Sequence, residues 1–175
     1  MNYFELFNLP QTLECDKQQL SQAYQALQQL THPDKFAADT EQAQRLALQK
    51  NSLVNDGYSI LKHPLSRAQH LLALRGIELN GEQQTLQDTS FLMQQLEWRE
   101  ALAEAEQDED ALHEFADDIE HEIQTYLTRL QTLFAETELQ DHTDHNQTIA
   151  QEIRKLTFIY KFQTQIEHHL EELEE

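Results

Sequence analysis

Apolar residues recur every three or four positions along most of this chain, the spacing of a helix with one buried face. A short segment around Tyr3 to Leu9 stops at Pro10. The next stretch predicts a helix from Asp16 to about Thr31, with Asp16 as N-cap and Leu20, Ala23/Tyr24, Leu27 and Leu30 on its inner face. Pro33 disfavours helical geometry at His32, so that helix ends there. A second long helix is expected from near Thr40 until just before Pro64, with Leu46/Ala47, Leu53/Val54, Tyr58 and Leu61 inward. The polar stretch His32 to Asp39 then joins two antiparallel helices. Three more helices follow, over roughly 85–106, 110–138 and 146–174. In the middle one Leu112, Phe115, Ile119, Ile123, Tyr126, Leu130 and Leu133 form a bundle seam. Ile149, Ile153, Leu156, Tyr160, Ile166, Leu170 and Leu173 repeat the pattern in the last, and Asp144 or Asn146 is placed to cap it.

The pattern implies an all-α fold, and a composition of 3 Gly and 3 Pro in 175 residues agrees with it. Charge divides the chain. Residues 1–75 hold 7 basic and 7 acidic side chains, whereas residues 76–175 hold 5 and 25, which accounts for the net charge of −20. Gly76, Asn80 and Gly81 supply the positive φ values that end a helix, so the expected division is 1–75, a linker over 76–84, and a three-helix bundle over 85–175. Such an acidic chain repels phosphate backbones and anionic head groups, which argues against nucleic-acid and membrane partners. One cysteine, Cys15, and no basic-then-apolar leader at the N-terminus point to the cytoplasm. A self-sufficient bundle makes a monomer the default, although the 112-to-133 seam leaves a dimer open.

The helix over 85–106 carries more apolar surface than one stripe can bury. At about 100° per residue, Phe91, Trp98, Leu102 and Ala105 cluster into an ordinary core stripe. Leu92 and Leu96 lie roughly 100° to 140° away and Met93 about 200° away. Glu100 falls between them and Glu97 just beyond. On the last helix Phe158 lies about 160° from Leu156, off the stripe. These residues either pack on a neighbouring element or form a second, exposed face.

The stretch His32-Pro33-Asp34 has the residue types of a contact site: proline fixes a tight loop from which an imidazole and a carboxylate can reach a partner. No nucleophile or glycine cradle accompanies it. Taken alone, the tripeptide reads as a helix terminator capped by Asp34. Its surroundings resemble a J-domain: Leu20-Ser21-Gln22-Ala23-Tyr24-Gln25-Ala26-Leu27 leads to His32-Pro33-Asp34-Lys35-Phe36, followed by Val54-Asn55-Asp56-Gly57-Tyr58-Ser59-Ile60-Leu61. Further on, Lys62-His63-Pro64-Leu65-Ser66-Arg67-Ala68-Gln69-His70-Leu71-Leu72, with Phe91-Leu92-Met93, resembles the HscB family, the J-domain co-chaperones of iron-sulfur cluster assembly.

That resemblance spans nearly the whole chain and implies an N-terminal J-domain hairpin followed by a C-terminal three-helix bundle. It implies that His32, Pro33, Asp34 and Lys35 engage an HscA-type, DnaK-like chaperone and stimulate its ATPase. It also implies that Leu92, Met93, Leu96 and Phe158 anchor the iron-sulfur scaffold IscU, with Glu97, Arg99 and Glu100 as polar rim. The chain would then be an adaptor, with no catalytic residues, metal or cofactor of its own. Two rivals are a J-domain adaptor for a different client and a metal-dependent helical hydrolase, for which no convergent ligand set is found. Two departures from the family pattern stand out. Lys17 is the only basic residue between Asp16 and Thr31, so docking should depend only weakly on salt. Gly57 stands where alanine is common and should cost its helix about 1 kcal/mol.

Other polar clusters read as surface. Asp141-His142-Thr143-Asp144-His145 is better explained as a solvated connection than as a metal site, and the adjacent rings of His168 and His169 point apart. Direct ligation of an iron-sulfur cluster needs several thiolates.

Overall fold

The computed structural model describes residues 1–79, 88–136 and 143–175. Among these residues it forms seven α-helices and one 3₁₀ turn, in two compact units, Met1–Ile77 and Glu78–Glu175. Residues 80–84 of the expected linker, with Asn80 and Gly81, lie outside the described residues, as do the ends expected at 85–87 and 137–138.

The first unit contains α1 (Tyr3–Leu6), α2 (Lys17–Thr31), the 3₁₀ turn Pro33–Phe36, α3 (Glu41–Lys62) and α4 (Pro64–Leu74). Local signals set nearly every end. Asp16 Oδ1 accepts from the N–H groups of Gln18 and Gln19, and Thr40 Oγ1 from that of Ala43, each satisfying a donor that a helix start leaves over. Helix α1 closes through Asn8 at φ 53°, and α4 through Gly76 at φ 87°. Both ends have the paired back-bonds of a Schellman motif, Leu9 N–H to Phe4 O with Asn8 N–H to Glu5 O, and Ile77 N–H to Leu72 O with Gly76 N–H to Ala73 O.

Helix α4 was not expected as a separate element. Pro64 occupies its first position, where a missing N–H costs nothing, and His63 Nδ1 caps it by accepting from Leu65 N–H. Arg67 is buried and its guanidinium donates to the carbonyls of Leu13 (2.6 Å) and Leu61 (2.7 Å), tying the loop before α2 to the end of α3. The core between the elements comprises Phe4, Phe7, Leu13, Leu20, Ala47, Val54, Leu61, Ala68, Leu71 and Leu72.

Two residues expected inside this unit are outside. Leu30 is 67% exposed and Leu46 50% exposed. Leu30 stands about 80° around α2 from buried Leu20, whereas Thr31 stands only about 20° from it, so the threonine takes the inward place. Leu46 similarly lies about 100° from Ala47, at the loop end of α3.

Gly57 is not a mere weakness in α3. A Cβ built there would lie 2.6 Å from Tyr3 Cδ1 and 2.8 Å from Phe7 Cε2, so α1 packs directly on the glycine backbone. The expected propensity cost is the condition for that close approach.

The second unit contains α5 (Thr89–Ala105), α6 (Glu109–Glu136) and α7 (Thr143–Glu174). The α6 seam is buried from Leu112 to Leu130, with Leu133 half-buried. On α7 the buried face turns along the helix: Ile149, Ile153 and Leu156 give way to Ile159, Phe162 and Ile166. Tyr160, expected on the seam, is half-buried, and Leu173 is exposed. The turn has a cause in α5, whose Trp98 meets Phe162 edge-on at 5.5 Å and draws that side of α7 inward. Asn146, expected as a cap, is instead buried within the first turns of α7.

Candidate functional site

His32 has extended geometry, φ −61° and ψ 130°, as a residue before proline must. It closes α2 and opens the 3₁₀ turn, in which Lys35 N–H donates to His32 O. Its Nδ1 accepts from Asp34 N–H at 3.2 Å, leaving Nε2–H as the ring's remaining donor. The Asp34 carboxylate lies 3.5 Å from Nδ1 and is 91% exposed. A hydrogen-bond donor, a carboxylate and the exposed Lys35 ammonium thus stand within four residues. They suit recognition of a charged protein surface and supply no nucleophile.

This turn is held from both sides by residues that sequence reading missed. Gln44 Nε2 donates to the carbonyls of Ala37 and Asp39, both at 3.1 Å. On the α2 side, Asn51 Nδ2 donates to Thr31 Oγ1 (3.3 Å), and Asn55 Nδ2 to Asn51 Oδ1 (3.2 Å). Tyr24 OH donates to Asn55 Oδ1 (2.7 Å), and Gln28 Nε2 reaches the same oxygen. Tyr24 also stacks on Tyr58 at 4.0 Å. A polar ladder therefore runs between α2 and α3 toward His32. Its signal was present in the sequence: Asn51, Asn55 and Tyr58 are spaced four and three apart on a face otherwise read as apolar. Pro33, Asp34 and Ala37 share an open concavity with Gln44, Arg45 and Leu48 of α3.

The second candidate face lies on α5. Phe91, Trp98, Leu102 and Ala105 are buried, and so is Gln95. Leu92, Met93 and Leu96 are 46%, 56% and 50% exposed, and Glu97, Arg99 and Glu100 are exposed beside them. Helix α5 fills its core stripe and still presents a second apolar surface. Phe158 is placed differently from these three. It is half-buried, its ring 6.4 Å from that of Phe91 and beneath the Lys161 ammonium at 5.2 Å. It thus stands at the α5–α7 seam and contributes to packing as well as to surface.

The start of α5 is pinned at that seam. Asp88 Oδ1 accepts from Phe91 N–H at 3.1 Å, and Oδ2 accepts from Lys155 Nζ at 2.6 Å. The Lys155 ammonium and the Phe91 N–H together hold the Asp88 carboxyl below the usual carboxylate range. Lys155 also lies 3.5 Å from Glu152, whose second oxygen takes Arg129 at 2.6 Å.

Among the described residues no cluster of three or more His, Cys, Asp or Glu side chains could hold a metal ion. His145 Nε2 meets the carbonyl of Leu133 near the end of α6, while Asp141 and His142 lie outside the described residues. The rings of His168 and His169, expected to point apart, both face Glu172 one turn on, with His169 also near Glu106. Cys15 is half-buried, its thiol directed to Asp16 O. No helix among the described residues is long and apolar enough to cross a membrane.

A helical hairpin with an exposed His-Pro-Asp turn, followed in the chain by an acidic three-helix bundle, defines a J-domain co-chaperone architecture. The profile of the HSCB C-terminal oligomerisation domain matches residues 87–167. Proteins named co-chaperone protein HscB homolog are 46% identical over 170 residues in Pseudoalteromonas atlantica and 44% identical over 169 in Shewanella frigidimarina, covering 95% of both chains in each case. Chaperone HscB from Vibrio cholerae matches with TM-score 0.85 and 40% identity over 99% of each chain. The human co-chaperone HscB matches with TM-score 0.86 and 28% identity, over 95% of this chain and 81% of the human one. The chain belongs to the HscB co-chaperone family.

Proposed function

We propose that this protein is a cytoplasmic adaptor of iron-sulfur cluster assembly, which binds the scaffold IscU and delivers it to an HscA-type chaperone while stimulating that chaperone's ATPase. The observation that carries the reading is an apolar face left uncovered on α5 after its core stripe is filled, in a chain that also exposes the His-Pro-Asp turn. Leu92, Met93 and Leu96 serve as scaffold anchors with Phe158 at their edge, and Glu97, Arg99 and Glu100 set register around them. His32, Pro33, Asp34 and Lys35 address the chaperone, whose own groups hydrolyse ATP. Two binding faces on one chain raise the local concentration of client at its chaperone, so modest affinity at each suffices. The protein itself performs no chemistry.

Steady-state ATP hydrolysis by the chaperone, with and without scaffold, tests this. Stimulation should rise with scaffold, vanish in His32→Gln, and require a higher scaffold concentration to rise in Leu92→Ala. Truncating Leu92 or Met93 should weaken scaffold binding by about 1–3 kcal/mol with the fold intact. Phe158→Ala should add a loss of stability, because the ring also packs on Phe91. Stimulation indifferent to scaffold would point to a different client, and no stimulation would remove the J-domain role.

A further inference from the structure

The face made by Leu92, Met93, Leu96 and Phe158 draws on two helices, so its shape depends on how α5 is set against α7. The C-terminal half of α5 is fixed by Trp98 against Phe162 and by the buried Leu102 and Ala105. Its N-terminal half rests on Phe91, which meets Trp98 edge-on at 6.1 Å and the tilted ring of Phe158 at 6.4 Å. A polar tie at this end is the bond between Asp88 and Lys155.

That tie is unusual in what it joins. Asp88 uses one oxygen to cap α5 and the other to bind the ammonium of α7. The Lys155 side chain is only 14% exposed, and its Nζ lies 5.8 Å from the centre of the Phe91 ring. Lys155 is also three residues before Phe158, so one side chain touches the residue preceding Leu92 and belongs to the turn that carries Phe158. Glu152, itself buried and joined to Arg129 of α6, also lies 3.5 Å from the ammonium.

We propose that Asp88 and Lys155 are positioning residues for the client face: their ion pair holds the first two turns of α5 on α7, so that Leu92, Met93 and Leu96 stand in fixed register beside Phe158 before a client arrives. This rests on the reading that the face binds the scaffold. The contribution is pre-organisation, since a face assembled in advance loses less conformational freedom on binding. Neither residue needs to touch the client.

Asp88→Asn separates the pair from the cap, because asparagine caps a helix as well as aspartate does but offers no charge to the ammonium. Amide hydrogen exchange on the full chain and calorimetric titration with the scaffold protein read the two consequences. In Asp88→Asn and in Lys155→Met, exchange at Leu92 to Leu96 should speed up about tenfold while amides of Leu130 and Ile153 keep their protection. Scaffold affinity should fall roughly three- to tenfold, the cost of anchors that must be ordered on binding. Lys155→Arg, which keeps the pair, should match the native chain in both readouts. Native exchange and affinity in Asp88→Asn would overturn the proposal, as would exchange rising equally through α6 and α7. If Leu92→Ala bound scaffold as tightly as the native chain, the client reading would be what fails. The exchange of α5 in Asp88→Asn alone would then uphold or overturn the positioning role.

Discussion

Replacing Gly57 with alanine sets two effects of opposite sign against each other within α3. Helix propensity alone favours alanine by about 1 kcal/mol at an interior position. The added methyl, however, would sit 2.6 Å from Tyr3 Cδ1, 2.8 Å from Phe7 Cε2 and 3.2 Å from Tyr3 Cε1. Carbon atoms attract best at about 3.5–4.0 Å, so the two rings must retreat by roughly 1 Å. Phe7 is only 3% exposed, with the core behind it, and Tyr3 is in ring contact with His70 at 5.0 Å. Neither ring can swing clear without disturbing a packed neighbour. Overpacking of this kind costs about 1–3 kcal/mol. The net expectation is therefore a destabilisation of the first unit by about 1 kcal/mol, from overpacking less the propensity gain.

Native-state hydrogen exchange at α3 amides measures that unit's opening free energy directly. Tyr3→Ala removes one wall of the clash, so Gly57→Ala should cost less in that background, and the double-mutant cycle should show the coupling. A Gly57→Ala variant that gains about 1 kcal/mol in the native background would refute the argument. Propensity would then be the governing term and the close approach of α1 an incidental one.

Two further outcomes follow from the same geometry. Among the described residues Gln95 Nε2 is buried without a hydrogen-bond partner, so Gln95→Leu should raise the stability of the second unit by about 1–3 kcal/mol, read as an increased urea midpoint at constant slope; an unchanged midpoint would mean that the amide is satisfied. The ring nitrogens of His63 and His70 accept from the N–H groups of Leu65 and Tyr3. Burial first, with the charges of Arg67 and of the terminal amine second, lowers their pKa from the ordinary 6.5. The unfolded chain therefore binds their protons more readily, and the neutral folded rings carry no penalty above pH of about 6.5. Stability of the first unit should fall as pH drops through that value toward the lowered folded pKa, and His70→Gln should flatten the slope in a calorimetric series. A pH-independent first unit would contradict this.

The candidate sites were legible in the sequence to different depths. His32-Pro33-Asp34 is contiguous, and proline's fixed φ makes its local geometry a property of the residues themselves. The exposed Leu92, Met93 and Leu96 emerged as apolar surface in excess of one stripe, which angular arithmetic on a single helix can detect. What supports each site could not be read in that way. Gln44 under the turn, the ladder through Asn51 and Asn55, and the tie from Asp88 to Lys155 join residues that meet only when separate helices pack.

The same division runs through the fold. Helix boundaries were set by Asp16, Thr40, Pro33, Pro64 and Gly76, because a cap, a missing N–H or a positive φ acts within one turn of the chain. Which face of each helix is buried depended on what arrived beside it. Thr31 displaced Leu30 from the inside of α2, and α5 turned the buried face of α7 from Tyr160 toward Ile159 and Phe162. At Gly57 the tertiary structure reversed the meaning of the residue, since the benefit of lacking a side chain exists only once α1 has packed against it. Helix starts and stops thus follow from interactions between near neighbours along the backbone. What those helices bury follows from packing, because burial is a relation between surfaces far apart in the chain.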